Sequence, residues 1–268
     1  MALLLVIVMQ SPRSSALDPH QFISQYGHTA WRVQDGVFLA GVSNVAQTKD
    51  GYLWVGTRNG LFRFDGVRFV PWEEISPSKE VVRDVHVLHA AEDGSLWIGY
   101  ATRLIRWKDG VASVFDLPHR PQQIADLPDS SVWVTMSRVT TSGTALCGVR
   151  AGKVACYGAK EGVTLTHDPC VAAAKNNKLW IGDEIDVLLW DPVAHLAEHF
   201  GPPLPHRPPD AGWLSFLWED ADGSLWAGAA RFCERCTGES FPQGDKELDR
   251  TGLLGSAGVR HLEVQRLR

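Results

Sequence analysis

The sequence lacks any uninterrupted apolar run of 18 residues, so it contains no helix that could span a bilayer. Basic residues are not in excess either: 26 Lys and Arg stand against 31 Asp and Glu, for a net charge of −5 at pH 7. Nucleic-acid binding needs a concentrated basic surface, so nucleic acid is not expected as a partner. Cys233 and Cys236 form a lone C-x-x-C without the second pair that a structural zinc site needs, and we expect a local disulfide or a degraded segment there.

The chain is rich in residues of turns and cores, with 25 Gly, 15 Pro and 11 Trp among 268 residues. It opens on the apolar run MALLLVIVM, followed by small residues at Ser14 and Ala16. This order predicts a signal peptide over residues 1–16 and a periplasmic or secreted protein, although no basic residue precedes the run. The alternative is a buried N-terminal strand.

One short pattern recurs along the chain: a turn pair, a small or polar residue, an aliphatic residue, Trp, a second aliphatic residue and Gly. The first copy reads DGYLWVG over residues 50–56, and the third copy is decayed. Regular recurrence at 36 to 47 residues is the mark of a repeat architecture. The tryptophans of the five copies are Trp54, Trp97, Trp133, Trp180 and Trp226.

Each of the first three copies is followed by a second β-rich run and a turn pair, such as Asp65-Gly66 or Asp109-Gly110, which predicts a two-residue hairpin. With the run that precedes each copy, this makes four antiparallel strands per repeat, the size of a β-propeller blade. In the first copy both faces of the Trp strand are apolar, as stacked blades require. A β-sandwich is the alternative, but it does not account for five near-identical units.

We therefore predict an all-β protein, a β-propeller of four-stranded antiparallel blades with about five recognisable blades in an incomplete ring. A partial blade is expected at residues 17–41, five blades at 42–230, and a degraded or truncated blade or tail at 231–268.

Four segments of the chain form a further pattern: ISQYGHTAWRVQDG (23–36), VAQT (45–48), DGYLWVGT (50–57) and NGLFRFDG (59–66). Together they resemble the start of the two-component regulator propeller family. The resemblance is close over residues 21–115 and looser to about 228. It implies the extracytoplasmic sensor region of a bacterial signalling protein, with a histidine kinase or further blades encoded downstream as partner. The chain has no phosphoacceptor segment and no ATP-binding glycine boxes, so kinase activity does not carry over and a truncated product is expected.

Two cysteines flank a predicted hairpin. If Ala151-Gly152 is a two-residue turn, Cys147 lies directly opposite Cys156 on the neighbouring strand. Either a disulfide or two free thiols fits this placement, and export favours the disulfide. Cys170 is then left unpaired.

The only other motif with catalytic associations is H-x-x-E-H at residues 195–199. In zinc proteases this pattern lies on a helix, which places both imidazoles on one face. Here it falls on a predicted outer strand, so we do not expect a protease. No catalytic residue, cofactor or metal is predicted.

The loops that follow the Trp strands are predicted to share one face of the ring, where propellers place their binding sites. Their side chains could bind an anionic or sugar-like small molecule or glycan; ordinary solvated loop residues are the alternative. The candidates are Arg58, Tyr100, Arg103 and Arg138.

The favoured function is a non-catalytic, ligand-binding sensor module. The alternatives are a secreted propeller enzyme acting on polysaccharide, for which Asp183 and Glu184 are the adjacent acids in a face loop, and a remnant without function.

Overall fold

The structure is a computed structural model. The residues that it describes are 30–31, 36, 38, 40–78, 80–137, 144, 146–164, 168–183, 186–201, 214–232 and 260–267. Side chains are described for all of these residues except 229–232 and 260–267.

The described strands form five separate antiparallel sheets, which are the blades. Blade 1 contains β1 (Val42–Gln47), β2 (Leu53–Thr57), β3 (Gly60–Phe64) and β4 (Phe69–Pro71). Blade 2 contains β5 (Val85–Ala90), β6 (Leu96–Tyr100), β7 (Arg103–Lys108) and β8 (Val111–Asp116). Blade 3 contains β9 (Pro121–Asp126), β10 (Val132–Met136), β11 (Leu146–Arg150) and β12 (Lys153–Tyr157). Blade 4 contains β13 (Cys170–Ala174), β14 (Lys178–Gly182), β15 (Val187–Asp191) and β16 (Leu196–His199). Blade 5 contains β17 (Leu214–Glu219), β18 (Leu225–Phe232) and β19 (Arg260–Leu267).

The helical elements are short: α1 (Trp72–Ile75) and two 3₁₀ turns at Ala159–Glu161 and Lys175–Asn177. In the part of the chain that the structure describes, no helix is both long and apolar enough to cross a membrane. The predicted signal peptide at residues 1–16 lies outside the described residues. The predicted all-β propeller with an incomplete ring is confirmed.

Neighbouring blades stack through one repeated contact. The signature Trp of a blade packs against aliphatic residues of the next blade, as Trp54 does in one core cluster with Leu88 and Ile98. Trp97 shares a cluster with residues of blade 3 in the same way. Apolar burial of this kind is the main stabilising contribution to the stack. The glycine of the pattern makes room for it, because a Cβ on Gly56 would lie 2.6 Å from Cγ1 of Val85 in blade 2.

The predicted two-residue turns are only partly correct. At Asp109-Gly110 the flanking Lys108 and Val111 are paired, and both turn residues have positive φ angles of 50° and 78°. At Asp65-Gly66 the first paired residues are Phe64 and Phe69, so this connection has four residues instead of two. The Asp65 carboxylate accepts hydrogen bonds from the backbone N–H groups of residues 67 and 68, which stabilises the longer loop.

Blade 5 takes its third strand from the end of the described chain. Strand β18 continues to Phe232, past the predicted boundary at residue 230, and pairs antiparallel with β19. At the other end, the described part of segment 17–41 contributes Trp31 and Phe38, which pack against the aromatic rings of Phe64 and Phe62 of blade 1.

Candidate ligand-binding site

The first strand of each blade is its inner strand, and these are β1, β5, β9, β13 and β17. Four of the five inner strands carry a β-bulge near their first residue. In β1 Val42 pairs with Thr57 and Asn44 pairs with Gly56, so Ser43 is the extra residue that the strand register skips. The same irregularity occurs in β5, β9 and β17. Bulges re-aim side chains and are frequent beside binding sites. The extra residues at these four bulges are Ser43, His86, Gln122 and Ser215.

The bulges of blades 1 and 2 open into a cavity of about 500 Å³, which we call the arginine pocket. It lies on the face of the ring where the inner strands begin, which we call the pocket face. Three blades contribute to it, because Arg58 follows β2, Asp84 precedes β5 and Arg120 precedes β9. Its lining residues are Ser43, Asn44, Arg58, Asp84, Val85, His86 and Arg120.

Hydrogen bonds between blades hold this lining in place. The Asn44 side-chain amide donates to the carbonyl oxygen of His86 over 2.6 Å. The Ser43 hydroxyl lies 2.9 Å from the carbonyl oxygen of Gly56 and 2.8 Å from that of Val85. The polar groups of the two bulged strands are therefore used to join blade 1 to blade 2.

A hydrogen bond from Asp84 ties blade 1 to blade 2 at the pocket. Asp84 has a φ angle of 50°, in the left-handed region that Asp accepts more readily than most residues with a side chain. Its backbone N–H donates to the carbonyl oxygen of Arg58 over 2.8 Å, which ties the β2–β3 turn of blade 1 to the start of blade 2. This bond fixes two of the charged residues of the lining relative to one another.

The charges of the pocket are unbalanced. Among the described residues, neither Arg58 nor Arg120 forms an ion pair. The His86 side chain is 12% exposed, and its Nε2 lies 3.5 Å from a carboxylate oxygen of Asp84. Burial, reinforced by the positive charge of Arg120, lowers the pKa of His86 despite the opposing effect of Asp84. With His86 neutral, two cations and one carboxylate line the cavity.

Of the four predicted binding residues, only Arg58 lies in the pocket. Tyr100 is buried, and its hydroxyl donates to the Glu80 carboxylate. Burial, together with this carboxylate, raises the pKa of Tyr100 to about 12. Arg103 is also occupied, with its guanidinium 2.5 Å from Glu80 and 3.2 Å from Asp116.

Arg138 lies outside the described residues, as does Glu184. The second acid considered for an enzyme, Asp183, is 2% exposed in the β14–β15 connection, where its carboxylate accepts from the backbone N–H of Asp186.

Sequence reasoning missed most of the pocket. Arg120 and Asp84 lie in connections that carry no repeat signature, and His86 and Ser43 belong to bulges that spacing does not reveal. One signal was available: a polar residue interrupts the apolar pattern at the second position of most inner strands.

A larger cavity of about 740 Å³ opens between blades 1 and 2 on the other face of the ring. We call this face, which carries the hairpin turns, the turn face. Most of its cations are compensated: Arg68 pairs with Asp65, and Lys108 lies 3.4 Å from Asp93. Arg63 forms no ion pair among the described residues, and its guanidinium lies 4.3 Å from the ring centre of Tyr52. This cavity therefore offers less free charge than the arginine pocket.

The Cys147–Cys156 pair forms a disulfide across the β11–β12 hairpin, with the Cα atoms 4.0 Å apart. The predicted register of this hairpin is confirmed, since Arg150 pairs with Lys153. Cys170 is a buried thiol whose pKa burial raises to about 12. Cys233 and Cys236 lie outside the described residues.

The H-x-x-E-H segment lies on a strand, as predicted, with His195 in the preceding turn and Glu198 and His199 on β16. His199 Nδ1 lies 2.5 Å from the Asp186 carboxylate. Within the described ranges, no group of three or more His, Cys, Asp or Glu residues could hold a metal ion.

Comparison with known proteins agrees with this architecture. The family model described as "Two component regulator propeller" matches residues 38–59. Among solved structures, the extracellular domain of a protein assigned as a hybrid two component system from B. thetaiotaomicron is 16% identical, with a TM-score of 0.55. A second such domain from the same organism is 20% identical, also with a TM-score of 0.55. The predicted resemblance to the two-component regulator propeller family is thus confirmed.

A gluconolactonase from Xanthomonas campestris is 15% identical with a TM-score of 0.50; the match covers 70% of this chain and 69% of that protein. The two Bacteroides matches cover 73% and 72% of this chain but only 26% and 28% of those domains, so the chain spans about a quarter of their length. At these identities the likenesses establish the fold alone. No curated protein matches the chain significantly.

Proposed function

We propose that this propeller is a non-catalytic, extracytoplasmic sensor module that binds a small polar ligand in the arginine pocket and signals to a histidine kinase. The observation that carries the proposal is the cavity at the start of the inner strands, into which Arg58 and Arg120 bring charges that no described acid pairs. Both arginines are exposed, so a ligand that enters the cavity can reach their guanidinium groups and accept charge-assisted hydrogen bonds from them.

The arrangement of blades suits a sensor. The pocket is built from separate blades, with Arg58 on blade 1, His86 on blade 2 and Arg120 at the entry to blade 3. A ligand that contacts all three would favour one relative orientation of these blades over others. Differential binding of this kind is what a signalling domain needs in order to shift a conformational equilibrium.

The test is a thermal-shift screen of the purified chain against small organic ions, sugars and glycans. A ligand present at a hundred times its dissociation constant should stabilise the fold by about 2.7 kcal/mol. Arg58→Gln and Arg120→Gln should each reduce this stabilisation to about 1.4 kcal/mol or less, the value for a tenfold loss of affinity. Arg68→Gln, which removes an exposed arginine on the turn face, is the matched control and should leave it intact.

Two results would contradict the proposal. A ligand whose shift survives both pocket substitutions would bind elsewhere. Detection of product after incubation of the chain with a polysaccharide or a lactone would show that the chain is an enzyme.

A further inference from the structure

We infer that the arginine pocket takes an anion, through a carboxylate, sulfate or phosphate group, and that His86 takes up a proton when the anion binds. This inference rests on the proposed function, since it names the ligand class and the proton linkage of the same pocket.

The choice of an anion over a neutral sugar follows from the charges of the lining. Arg58 and Arg120 are without ion-pair partners among the described residues, while Asp84 is the acid of the lining. A guanidinium presents a planar fork of N–H donors that matches carboxylate and phosphate oxygens. A neutral sugar could accept hydrogen bonds from these groups but would gain no attraction from their positive charges.

The role of His86 follows from where its ring lies. His86 is the extra residue of the bulge in β5, and its side chain lines the pocket. The charged groups acting on it are Asp84 on its own segment and Arg120 from the entry to β9, and Arg58 from the β2–β3 turn lines the same cavity. Strand β1 presents only neutral groups, Ser43 and Asn44.

Without a bound anion, burial and the charge of Arg120 oppose protonation of His86, and Asp84 favours it. A bound anion compensates Arg120 and adds a negative charge beside the imidazole. The contribution of Asp84 is present with and without ligand. Binding therefore raises the affinity of His86 for a proton, and by linkage a proton raises the affinity for the anion.

The sign of the pH dependence is fixed by this argument. Anion affinity should rise as the pH falls from neutral, by up to about tenfold per pH unit where one full proton is taken up. It should level off once His86 is already protonated in the free protein. A neutral ligand bound without proton uptake would show no such slope.

The test is isothermal titration calorimetry of the full chain at low ionic strength with sulfate, malonate and glucose. Sulfate is the main probe because it does not titrate near neutral pH. Titrations in buffers of different ionisation enthalpy count the protons taken up. We expect the anions to bind and glucose not to bind, with Arg58→Gln or Arg120→Gln weakening sulfate about tenfold or more.

Two histidine variants isolate the proton linkage. His86→Gln should retain sulfate binding within a few-fold near neutral pH but lose the proton uptake and the pH slope. His89→Gln changes a histidine at the other end of the same strand and is the matched control. Sulfate binding to this variant should be accompanied by the same proton uptake as in the unsubstituted chain. Circular dichroism confirms that each variant is folded.

The outcomes separate the inference from the proposed function. Glucose or another neutral sugar binding through Arg58, with neither anion binding, overturns the inference and leaves the sensor proposal standing. Sulfate binding that survives both arginine substitutions places the anion outside the pocket and overturns both. Sulfate binding in the pocket without proton uptake overturns the role of His86.

Discussion

Asn44 and His86 join blade 1 to blade 2: the Asn44 amide donates to the His86 carbonyl oxygen over 2.6 Å. Because this bond fixes the backbone of the bulge that carries the imidazole, it couples blade packing to the shape of the arginine pocket. Side chain and carbonyl are both partly buried, so water cannot fully replace the lost donor.

We therefore expect Asn44→Ala to lower the free energy of unfolding by about 1 kcal/mol and to weaken ligand binding. Urea denaturation and calorimetry measure the two effects. Gln47→Ala is the control, since Gln47 lies at the other end of β1 and makes only an exposed 3.3 Å hydrogen bond within its own blade. Equal losses in the two variants would show that the Asn44 bond has no special role.

The different burial of two tryptophans gives the second prediction. Trp97 is 3% exposed between blades 2 and 3, whereas Trp218 of β17 is 58% exposed. Trp97→Ala should cost about 3–5 kcal/mol of unfolding free energy because it leaves a cavity between blades. Trp218→Ala should cost far less, since it removes mostly solvated surface. Urea midpoints for the two variants test this, and similar losses would mean that Trp218 is covered in solution.

The fold could be predicted because each blade repeats the same local requirements. Trp54 and its counterparts fill the space between blades, and the following glycine lets the next inner strand approach, as at Gly56 against Val85. The turn lengths were less predictable. Asp109-Gly110 forms the expected two-residue turn, whereas Asp65-Gly66 begins a four-residue loop that the Asp65 carboxylate stabilises. The Asp-Gly dipeptide alone therefore does not reveal the length of the turn.

The site was harder to predict than the fold for a physical reason. Spacing placed Arg58 on the correct face, but Arg120 and Asp84 arrive from connections between blades that differ from repeat to repeat. Tyr100 and Arg103 share the predicted face, yet Glu80 engages both of them. Whether a loop side chain is free to bind a ligand depends on such long-range partners, which the repeat pattern does not contain.

Acid stability provides a third prediction. Burial disfavours the charged form of Asp126, but hydrogen bonds from His89, at 2.7 Å, and from the backbone N–H of Glu92 outweigh it and lower the pKa. A carboxyl group with a lowered pKa stabilises the fold above its unfolded value of about 3.9, and this stabilisation is lost as the pH falls further.

Asp126→Asn should therefore destabilise the chain at neutral pH and flatten the fall in melting temperature below about pH 4. Thermal unfolding followed across that range measures the slope. Asp109→Asn serves as the control because Asn also accepts the left-handed conformation of this turn. If Asp126→Asn and the unsubstituted chain lose stability in parallel on acidification, the carboxylate does not link blades 2 and 3 as the structure indicates.

The Cys147–Cys156 disulfide provides the last prediction. It closes a short loop, with a sequence separation of 9 residues, across the β11–β12 hairpin of blade 3. Closing a loop of this length should stabilise the fold by about 2–3 kcal/mol, chiefly by restricting the unfolded chain.

We expect reductant to lower the melting temperature of the purified chain and to leave that of a Cys147→Ala, Cys156→Ala double variant unchanged. Cys170→Ala keeps the bridge, so its response to reductant should match that of the unsubstituted chain. A melting temperature that does not respond to reductant in either bridged protein would show that the two thiols are free, and mass spectrometry after alkylation would identify them.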